Sequence, residues 1–132
     1  MKILKPEENI SSVISLIKNA KEFVVIVSPF NSLAGWDDLI NAINESKNRV
    51  KVSYYVRKDE GRTGIEKIKA DIYEVALLHA KMFFSESEAI ISSGNLTNHP
   101  DINWFCRLNK AEYDDITDFF ERYIKPGATQ LL

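Results

Sequence analysis

A chain of 132 residues is long enough to bury one hydrophobic core and too short for two comfortable ones, so we expect a single domain over residues 1–132. Its hydrophobic share of 45% and charged share of 27% are those of a globular protein and exclude a disordered or fibrous class. A formal net charge of −2 argues against a surface that binds nucleic acid everywhere, but it allows a local basic groove.

The single cysteine, Cys106, excludes an intrachain disulfide and a cysteine-based zinc site, and it favours a reducing compartment. The apolar stretch within MKILKPEENISS is too short for a signal peptide, and no segment reaches membrane-spanning length. These features predict a cytoplasmic protein without a membrane span.

The first half of the chain alternates between helical and strand patterns. Apolar residues that recur every three or four positions predict helices, and apolar runs bounded by turn residues predict strands. In chain order these patterns predict a helix over 6–19, a strand over 22–30, a helix over 36–46, a strand over 49–56 and a loop over 57–64. Asp37 and Asp38 lie in the first turn of the second helix, where acidic side chains suit the helix dipole.

The second half of the chain contains its most apolar run, EVALLHAKMFF. In chain order we predict a short helical segment over 65–70, strand structure over 71–84 that is interrupted near Leu77, strands over 89–93 and 105–108, a helix over 111–124 and a frayed tail over 125–132. Strands that alternate with helices predict an α/β domain with a mixed, largely parallel sheet and helices on both faces. Near-continuous apolar strands are typical of such a sheet.

A histidine and a lysine stand two residues apart in this apolar run. An unpaired buried charge is costly, so His79 and Lys81 need a compensating partner. Side chains at i and i+2 of a strand point to the same side, which places these two together and relates Ser93 to Asn95 in the same way. Gly94 would let the backbone approach a ligand closely. Four donors on two neighbouring strands would form a pocket for an anion, and phosphate is the usual biological one.

The segment HAKMFFSESEAIISSGNLT resembles the signature of the phospholipase D superfamily, in which His-x-Lys is followed by four residues, an Asp and a Gly-Ser-x-Asn element. His79, Lys81, Ser93 and Asn95 match that pattern. The order of strands and helices before the motif is also similar, so the resemblance covers most of the chain and implies a nuclease-like, single-motif domain. His-x-Lys alone would be weak, and the second element makes the motif fairly specific.

The resemblance implies a metal-independent phosphodiesterase, most simply a nuclease, that works through a phosphohistidine and needs no cofactor. His79 would be the nucleophile, and a second histidine would protonate the leaving oxygen, since imidazole titrates near neutral pH. Lys81 would neutralise charge on the phosphoryl oxygens, as a metal ion does in other enzymes. Ser93 and Asn95 would donate hydrogen bonds to the same oxygens.

One motif supplies one histidine, whereas this mechanism uses two. His99 is the only other histidine, and no lysine follows it two positions later. A two-fold homodimer in which both subunits bring His79 to a shared cleft resolves the shortage, and single-motif members of the family are similar in this respect. We therefore expect a homodimer that acts on nucleic acid or another phosphodiester.

Three positions depart from the family pattern. Glu86 stands where the family has Asp, and we keep it as a catalytic candidate beside a structural role. Ser92 replaces a glycine. Asn103-Trp104-Phe105 is the nearest counterpart of an Asn-x-Glu element whose carboxylate orients the histidine, so that acid is missing unless Asp101, Glu86 or Glu88 replaces it. The departure leaves open a catalytically weak module that binds nucleic acid or phosphate ligands, and a phospholipid headgroup hydrolase or transferase is a third interpretation.

Basic residues cluster in the loop after the strand over 49–56. Arg57, Lys58 and Arg62 are candidates for substrate binding together with Gly94, because cationic side chains there would contact a nucleic-acid backbone. The alternative is a solvated loop, since acidic neighbours dilute the positive charge.

Overall fold

The computed structural model describes residues 1–60, 62–98 and 101–131. In this part of the chain the α-helices are α1 (Asn9–Asn19), α2 (Asp37–Ser46) and α3 (Lys110–Phe119), and α3 continues into a π-helical turn, Phe120–Ile124. The strands are β1 (Lys2–Ile3), β2 (Phe23–Val27), β3 (Asn31–Ser32), β4 (Lys51–Arg57), β5 (Arg62–Thr63), β6 (Asp71–Val75), β7 (Met82–Ser85), β8 (Ala89–Ser92), β9 (Leu96–Thr97), β10 (Phe105–Arg107) and β11 (Ala128–Gln130). Short 3-10 turns cover Pro6–Glu8, Ile65–Lys67 and Lys125–Gly127.

The main sheet has eight strands in the order β1-β10-β8-β7-β2-β4-β6-β11 among the described residues. Its centre is parallel, because β2 pairs with β4 and β4 pairs with β6 in the same direction. The remaining pairings are antiparallel, and β1, β2, β4, β6 and β8 run one way while β7, β10 and β11 run the other. A small parallel sheet, β5-β3-β9, lies beside it. The predicted mixed α/β sheet is therefore confirmed.

Helices cover both faces of the main sheet, as predicted. Ile17 of α1 and Ile43 of α2 are fully buried in one core cluster with Phe83 of the sheet. On the other face Phe120 and Ile124, from the π-helical turn after α3, belong to a second cluster of buried residues. The apolar stripes of α1 and α2 are thus buried as the sequence pattern predicted, whereas Phe119 and Tyr123 on the other face remain exposed.

The apolar run that ends at Phe84 is divided between two strands. β6 ends at Val75 and β7 begins at Met82, and the chain between them turns at Leu77, which has a φ of 60°. The interruption near Leu77 is confirmed, but it extends through His79 and Lys81. These two residues lie in the segment that leads into β7 and not inside a buried strand.

The end of the chain is more ordered than predicted. Residues Ala128–Gln130 form β11, which pairs antiparallel with β6 and closes that edge of the sheet. The backbone N–H of Leu131 also donates to the carbonyl of Ile72. The prediction of a frayed tail over 125–132 is therefore wrong for the part that the structure describes, because unpaired backbone groups of β6 offer it a partner.

Candidate active site

His79, Lys81, Ser93 and Asn95 lie at one edge of the main sheet. The parallel strands β2, β4 and β6 all end at this edge. β7 runs the other way, with Met82 opposite Val27, so its first residues lie at the same edge. β8 ends there as well, because its Ile91 lies opposite Met82 at the start of β7. Loops that join these strand ends therefore converge, as they do at the ligand sites of many α/β proteins.

His79 and Lys81 contact each other as their spacing predicted. The Lys81 Nζ donates to the His79 backbone carbonyl at 2.9 Å and lies 3.4 Å from the His79 Nδ1. The imidazole is exposed, whereas the lysine is partly buried. Burial lowers the pKa of Lys81 from its ordinary value, because desolvation disfavours the ammonium form. An anion bound against this ammonium group would compensate that cost.

Ser93 is held by the chain that leads into β10. Its Oγ donates to the Asn103 Oδ1 at 3.2 Å and accepts from the Trp104 backbone N–H at 3.0 Å. The backbone N–H of Ser93 donates to the Trp104 carbonyl at 3.0 Å. The hydroxyl therefore has a fixed position beside Trp104, whose side chain is half exposed.

Asn95 is tied to the segment that follows β2. Its Oδ1 accepts from the Phe30 backbone N–H at 3.1 Å, which directs the other end of the amide, the Nδ2 donor, away from that contact. The neighbouring Leu96 N–H donates to the Ser28 Oγ at 2.8 Å. Two long-range hydrogen bonds thus fix this strand end against β2.

Gly94 leaves room for a side chain of the protein itself. A Cβ at this position would lie 2.5 Å from the Asn103 side chain, closer than any real contact. The glycine therefore allows Asn103 to reach Ser93, and the ligand approach expected for Gly94 stays a prediction.

The segment after β2 is supported by a buried hydrogen-bond chain. The Tyr54 hydroxyl donates to the Asn31 Oδ1 at 2.5 Å, and the Asn31 Nδ2 donates to the Ser28 carbonyl at 2.7 Å. Burial raises the pKa of Tyr54 well above its ordinary value, so the hydroxyl stays a donor. Satisfied buried networks of this kind make a site rigid.

Arg57 reaches the site, and Lys58 stands beside it at the end of β4. The Arg57 Nη1 donates to the Leu78 carbonyl at 3.2 Å, next to His79, and its guanidinium lies 5.7 Å from the Phe30 ring centroid. Its Nε also lies 3.7 Å from a carboxylate oxygen of Glu60. The Lys58 side chain is exposed. Both are placed where a substrate chain could pass the site.

Arg62 is engaged elsewhere, which counts against its expected role. Its Nη2 lies 2.7 Å from a carboxylate oxygen of Glu74 in a partly buried ion pair. The same Nη2 lies 3.4 Å from the Arg57 carbonyl, which it contacts as a donor. The pair neutralises the charge that a phosphate contact would need, so the structure favours a structural role for Arg62.

Glu86 is not brought to the site. It follows Ser85 at the far end of β7, roughly 16 Å along the chain from Lys81. Its Oε1 accepts backbone N–H groups of Lys21, Glu22 and Phe23 at 3.0, 2.8 and 3.3 Å. Desolvation would raise its pKa, but these hydrogen bonds together outweigh it and lower the pKa. The alternative of a structural role fits this geometry, and the catalytic candidacy does not.

A carboxylate partner for His79 is missing from the described residues. Phe105, at the position of the family glutamate, is 3% exposed, and its ring stacks on Phe83 with centroids 5.9 Å apart. Among the described side chains the imidazole has a polar contact with Lys81 alone. His99 lies outside the described residues, and Asp101 is exposed.

The sequence interpretation missed Phe30, and it named Asn103 and Trp104 only as the counterpart of an Asn-x-Glu element. Phe30 and Asn103 hold Asn95 and Ser93, and Trp104 packs its backbone against the same serine. The motif spacing carries no signal for them, because they come from segments that meet it only through strand pairing.

No helix in residues 1–60, 62–98 and 101–131 has both the length and the apolar character that crossing a bilayer requires. The same residues contain no group of three or more His, Cys, Asp or Glu side chains arranged to hold a metal ion.

Solved structures that resemble this chain share its fold over almost the whole length. No family model and no curated protein matches the sequence. Nuc from Salmonella typhimurium, a phospholipase D family member, matches with a TM-score of 0.71 and 16% identity over 98% of this chain and 97% of its own. NucT from Helicobacter pylori matches with a TM-score of 0.76 and 12% identity over 98% of both chains. TrmBL2, an archaeal chromatin protein, matches with a TM-score of 0.65 and 11% identity over 98% of this chain and 54% of its own. The chain therefore has the phospholipase D fold that its motif implied.

Proposed function

We propose that this protein is a metal-independent phosphodiesterase, most simply a nuclease, whose His79 forms a phosphohistidine at a site shared by two subunits. The observation that carries the proposal is the contact between His79 and Lys81 at the sheet edge where Ser93 and Asn95 also lie. Its fold, shared with a phospholipase D family member, supports the same chemistry. A tetrahedral anion at this edge would meet an exposed imidazole and a partly desolvated ammonium group.

The reaction would proceed in two displacements. In the first, the His79 Nε2 attacks the phosphorus, the P–N bond forms, and the bond to the leaving oxygen breaks. A second imidazole gives its proton to that oxygen. In the second displacement a water molecule, deprotonated by the same second imidazole, attacks the phosphorus and releases His79. Lys81 balances the charge that gathers on the phosphoryl oxygens in both steps.

The tautomer of His79 decides whether its Nε2 can attack. An Nε2 nucleophile needs the ring proton on Nδ1, and that proton needs an acceptor. The group nearest to Nδ1 is the Lys81 ammonium at 3.4 Å, which is a donor. Phosphate binding would draw Lys81 towards the substrate and release Nδ1.

The second imidazole is supplied most economically by His79 of a second copy. Exposed apolar side chains at the site edge give a physical reason for association: Leu77 is 80% exposed, Ile102 is 89% exposed and Trp104 is 50% exposed. Leu77 lies two residues before His79, and Trp104 contacts Ser93. Apolar groups in such a position favour contact with another surface, and a two-fold contact would bring the two sites together.

Nucleic acid is the substrate class that we propose. Arg57 and Lys58 stand at the rim of the site, where cationic side chains would contact successive backbone phosphates. The exposed Trp104 ring lies beside Ser93, where an unpaired base could stack on it.

The test is hydrolysis of bis(p-nitrophenyl) phosphate and of a labelled oligonucleotide in excess chelator. We expect wild type and His99→Ala to cleave at similar rates, and His79→Ala and Lys81→Ala to lose at least a hundredfold. Rapid acid-free denaturation followed by mass spectrometry should detect, on His79, the phosphoryl group that still carries the retained half of the substrate, which is p-nitrophenyl phosphoryl for the model diester. Equal rates for wild type and His79→Ala, or activity that vanishes with chelator, would overturn the proposal.

A second candidate function is favoured by the buried Phe105 at the glutamate position. Without an orienting carboxylate the same site would bind phosphate without cleaving it, and one neighbour in fold is a chromatin protein with a DNA-binding mode of its own. This function predicts oligonucleotide retention that weakens steeply with salt and is reduced in Lys81→Ala. Retention that is indifferent to salt, or cleavage at a measurable rate, would contradict it.

A further inference from the structure

A cavity of about 500 Å³ lies between the main sheet and α3, on the face opposite α1 and α2. α3 and the π-helical turn cover only part of this face. The volume is in the range of small-molecule sites in proteins. Six aromatic side chains line it: Phe23, Tyr55, Tyr73, Phe84, Tyr113 and Phe120.

The aromatic walls are connected and therefore rigid. Tyr55 stacks on Tyr73 with centroids 4.8 Å apart and meets Phe120 edge to face at 5.0 Å. Phe84 meets Phe120 at 5.3 Å and Phe23 at 6.2 Å, again edge to face. Rings held in this way offer flat surfaces that suit a planar, aromatic guest.

Two buried residues with hydroxyl groups line the cavity. Ser53 is 7% exposed and Tyr55 is 4% exposed, and both line the cavity. Neither hydroxyl forms a hydrogen bond with any residue that the structure describes. Burial raises the pKa of Tyr55 to about 12, with smaller contributions from Tyr73 and Glu121, so its hydroxyl stays a neutral donor. Both hydroxyl groups are therefore available to hydrogen-bond a ligand in the cavity.

The charged side chains at the mouth of the cavity carry a net positive charge. Lys51, Lys125 and Glu121 line it. Lys125 lies 3.5 Å from the Glu121 carboxylate, an exposed pair that neutralises both. Lys51 forms no ion pair within the described part of the chain and is exposed. Its ammonium group is therefore available to an anionic substituent of a ligand.

The cavity is separate from the candidate active site. Lys51 begins β4 and Arg57 ends it, so roughly 20 Å of strand lies between the cavity mouth and the edge where His79 lies. A ligand bound at Lys51 would leave the His79 edge of the sheet free.

We propose that this cavity binds a planar aromatic ligand that carries a negative charge, with a mononucleotide as the class that fits best. The ring system would lie against the aromatic walls, the hydroxyls of Ser53 and Tyr55 would contact its polar edge, and Lys51 would hold the phosphate at the mouth. The proposal does not depend on catalysis by His79.

The experiment measures binding of adenosine 5′-monophosphate by calorimetry, with adenosine and ribose 5-phosphate as probes that lack the charge or the ring. We expect the nucleotide to bind more tightly than either fragment. Lys51→Ala should weaken its binding about fivefold or more, and Tyr55→Phe by a similar factor through the lost hydrogen bond. Lys18→Ala, an exposed lysine of α1 on the other side of the sheet, is the matched control and should change nothing.

Two further variants separate the possible outcomes. Ser53→Leu fills the cavity with apolar atoms and should abolish binding while the protein still unfolds cooperatively. His79→Ala should bind the nucleotide as wild type does. Loss of binding in His79→Ala but not in Ser53→Leu would place the nucleotide at the candidate active site and overturn the proposal, as would equal affinity for all three probes or none.

Discussion

At the scale of single residues, exposure decides what the His79–Lys81 pair can do. The sequence placed both in an apolar run, where two cations would be costly. The structure leaves His79 exposed and buries Lys81 only in part, which lowers the lysine pKa but keeps the pair accessible. The two side chains therefore do not pay the cost of full burial among apolar residues. An anion can reach them from solvent.

Glu86 gives a prediction about stability and pH. Its pKa is lowered in the folded protein, so its contribution is present above its ordinary value near 4.5 and is lost as the pH falls through the folded value. We expect Glu86→Gln to reduce the free energy of unfolding by about 1 kcal/mol at pH 7. The difference should shrink towards pH 3 in denaturant titrations.

Glu88→Gln is the matched control for that measurement, since the Glu88 side chain has no hydrogen bond or ion pair within the described residues. It should leave stability unchanged at both pH values. Large loss of phosphodiesterase activity in a stable Glu86→Gln variant would show that the carboxylate has a catalytic role after all.

Phe105 gives a prediction about the missing glutamate. Its ring is buried and stacked on Phe83, so a carboxylate there would replace core packing. We expect Phe105→Glu to lower the free energy of unfolding by about 3–5 kcal/mol, since a large buried ring is lost and a charge is desolvated. Phe105→Leu should cost less. A stable Phe105→Glu protein with raised activity would contradict this prediction.

At the scale of elements, the boundaries follow from local signals where such signals exist. α3 begins with a capping box: the Asn109 side chain accepts from the Glu112 N–H, and the Glu112 carboxylate accepts from the Asn109 N–H. The break in the apolar run has a different cause, a turn at Leu77 in a left-handed conformation that no sequence pattern requires. Caps are readable from the chain, whereas such turns depend on their surroundings.

The capping box leads to a prediction about α3. Asn109→Ala removes the acceptor for one helix N–H and should reduce the free energy of unfolding by about 1 kcal/mol. Asn109→Ser keeps a capping oxygen and should have little effect. Chemical denaturation followed by circular dichroism measures both. An alanine variant as stable as wild type would mean that solvent replaces the cap without cost.

At the scale of the whole molecule, the proposed shared site makes activity depend on subunit composition. When wild type is mixed with an equal amount of His79→Ala and subunits exchange, only about a quarter of the dimers retain two histidines. At equal total protein concentration, we expect the activity of the mixture to be about a quarter of that of pure wild type. Independent sites would instead retain about half of the activity. Mixing with His99→Ala should leave activity near that of wild type.

Light scattering measures the molar mass and therefore the oligomeric state of the wild-type protein and of surface variants. A dimer is expected at micromolar concentration, and replacing the exposed Leu77 and Trp104 by polar residues should favour the monomer. A fully active monomer would contradict the shared-site mechanism while leaving the fold as described.

The sequence by itself determined the features that depend on neighbours along the chain. Helical and strand periodicity predicted the α/β class, and the spacing of His79, Lys81, Ser93 and Asn95 predicted the motif. Those residues lie at one sheet edge because the segments that carry them flank β7, β8 and β9, whose pairing brings them together. Pairings between distant segments leave no comparable pattern in the chain.

Only the tertiary structure decided which charges are free. Arg62 is neutralised by Glu74, and Glu86 is held by the backbone before β2. Glu74 lies on a different strand from Arg62, and the backbone groups that hold Glu86 lie more than sixty residues before it in the sequence. Strand order also set the course of β11 and left the aromatic cavity under α3. The physical reason is that a side chain's role depends on the solvent and partners around it, and strand pairing chooses these.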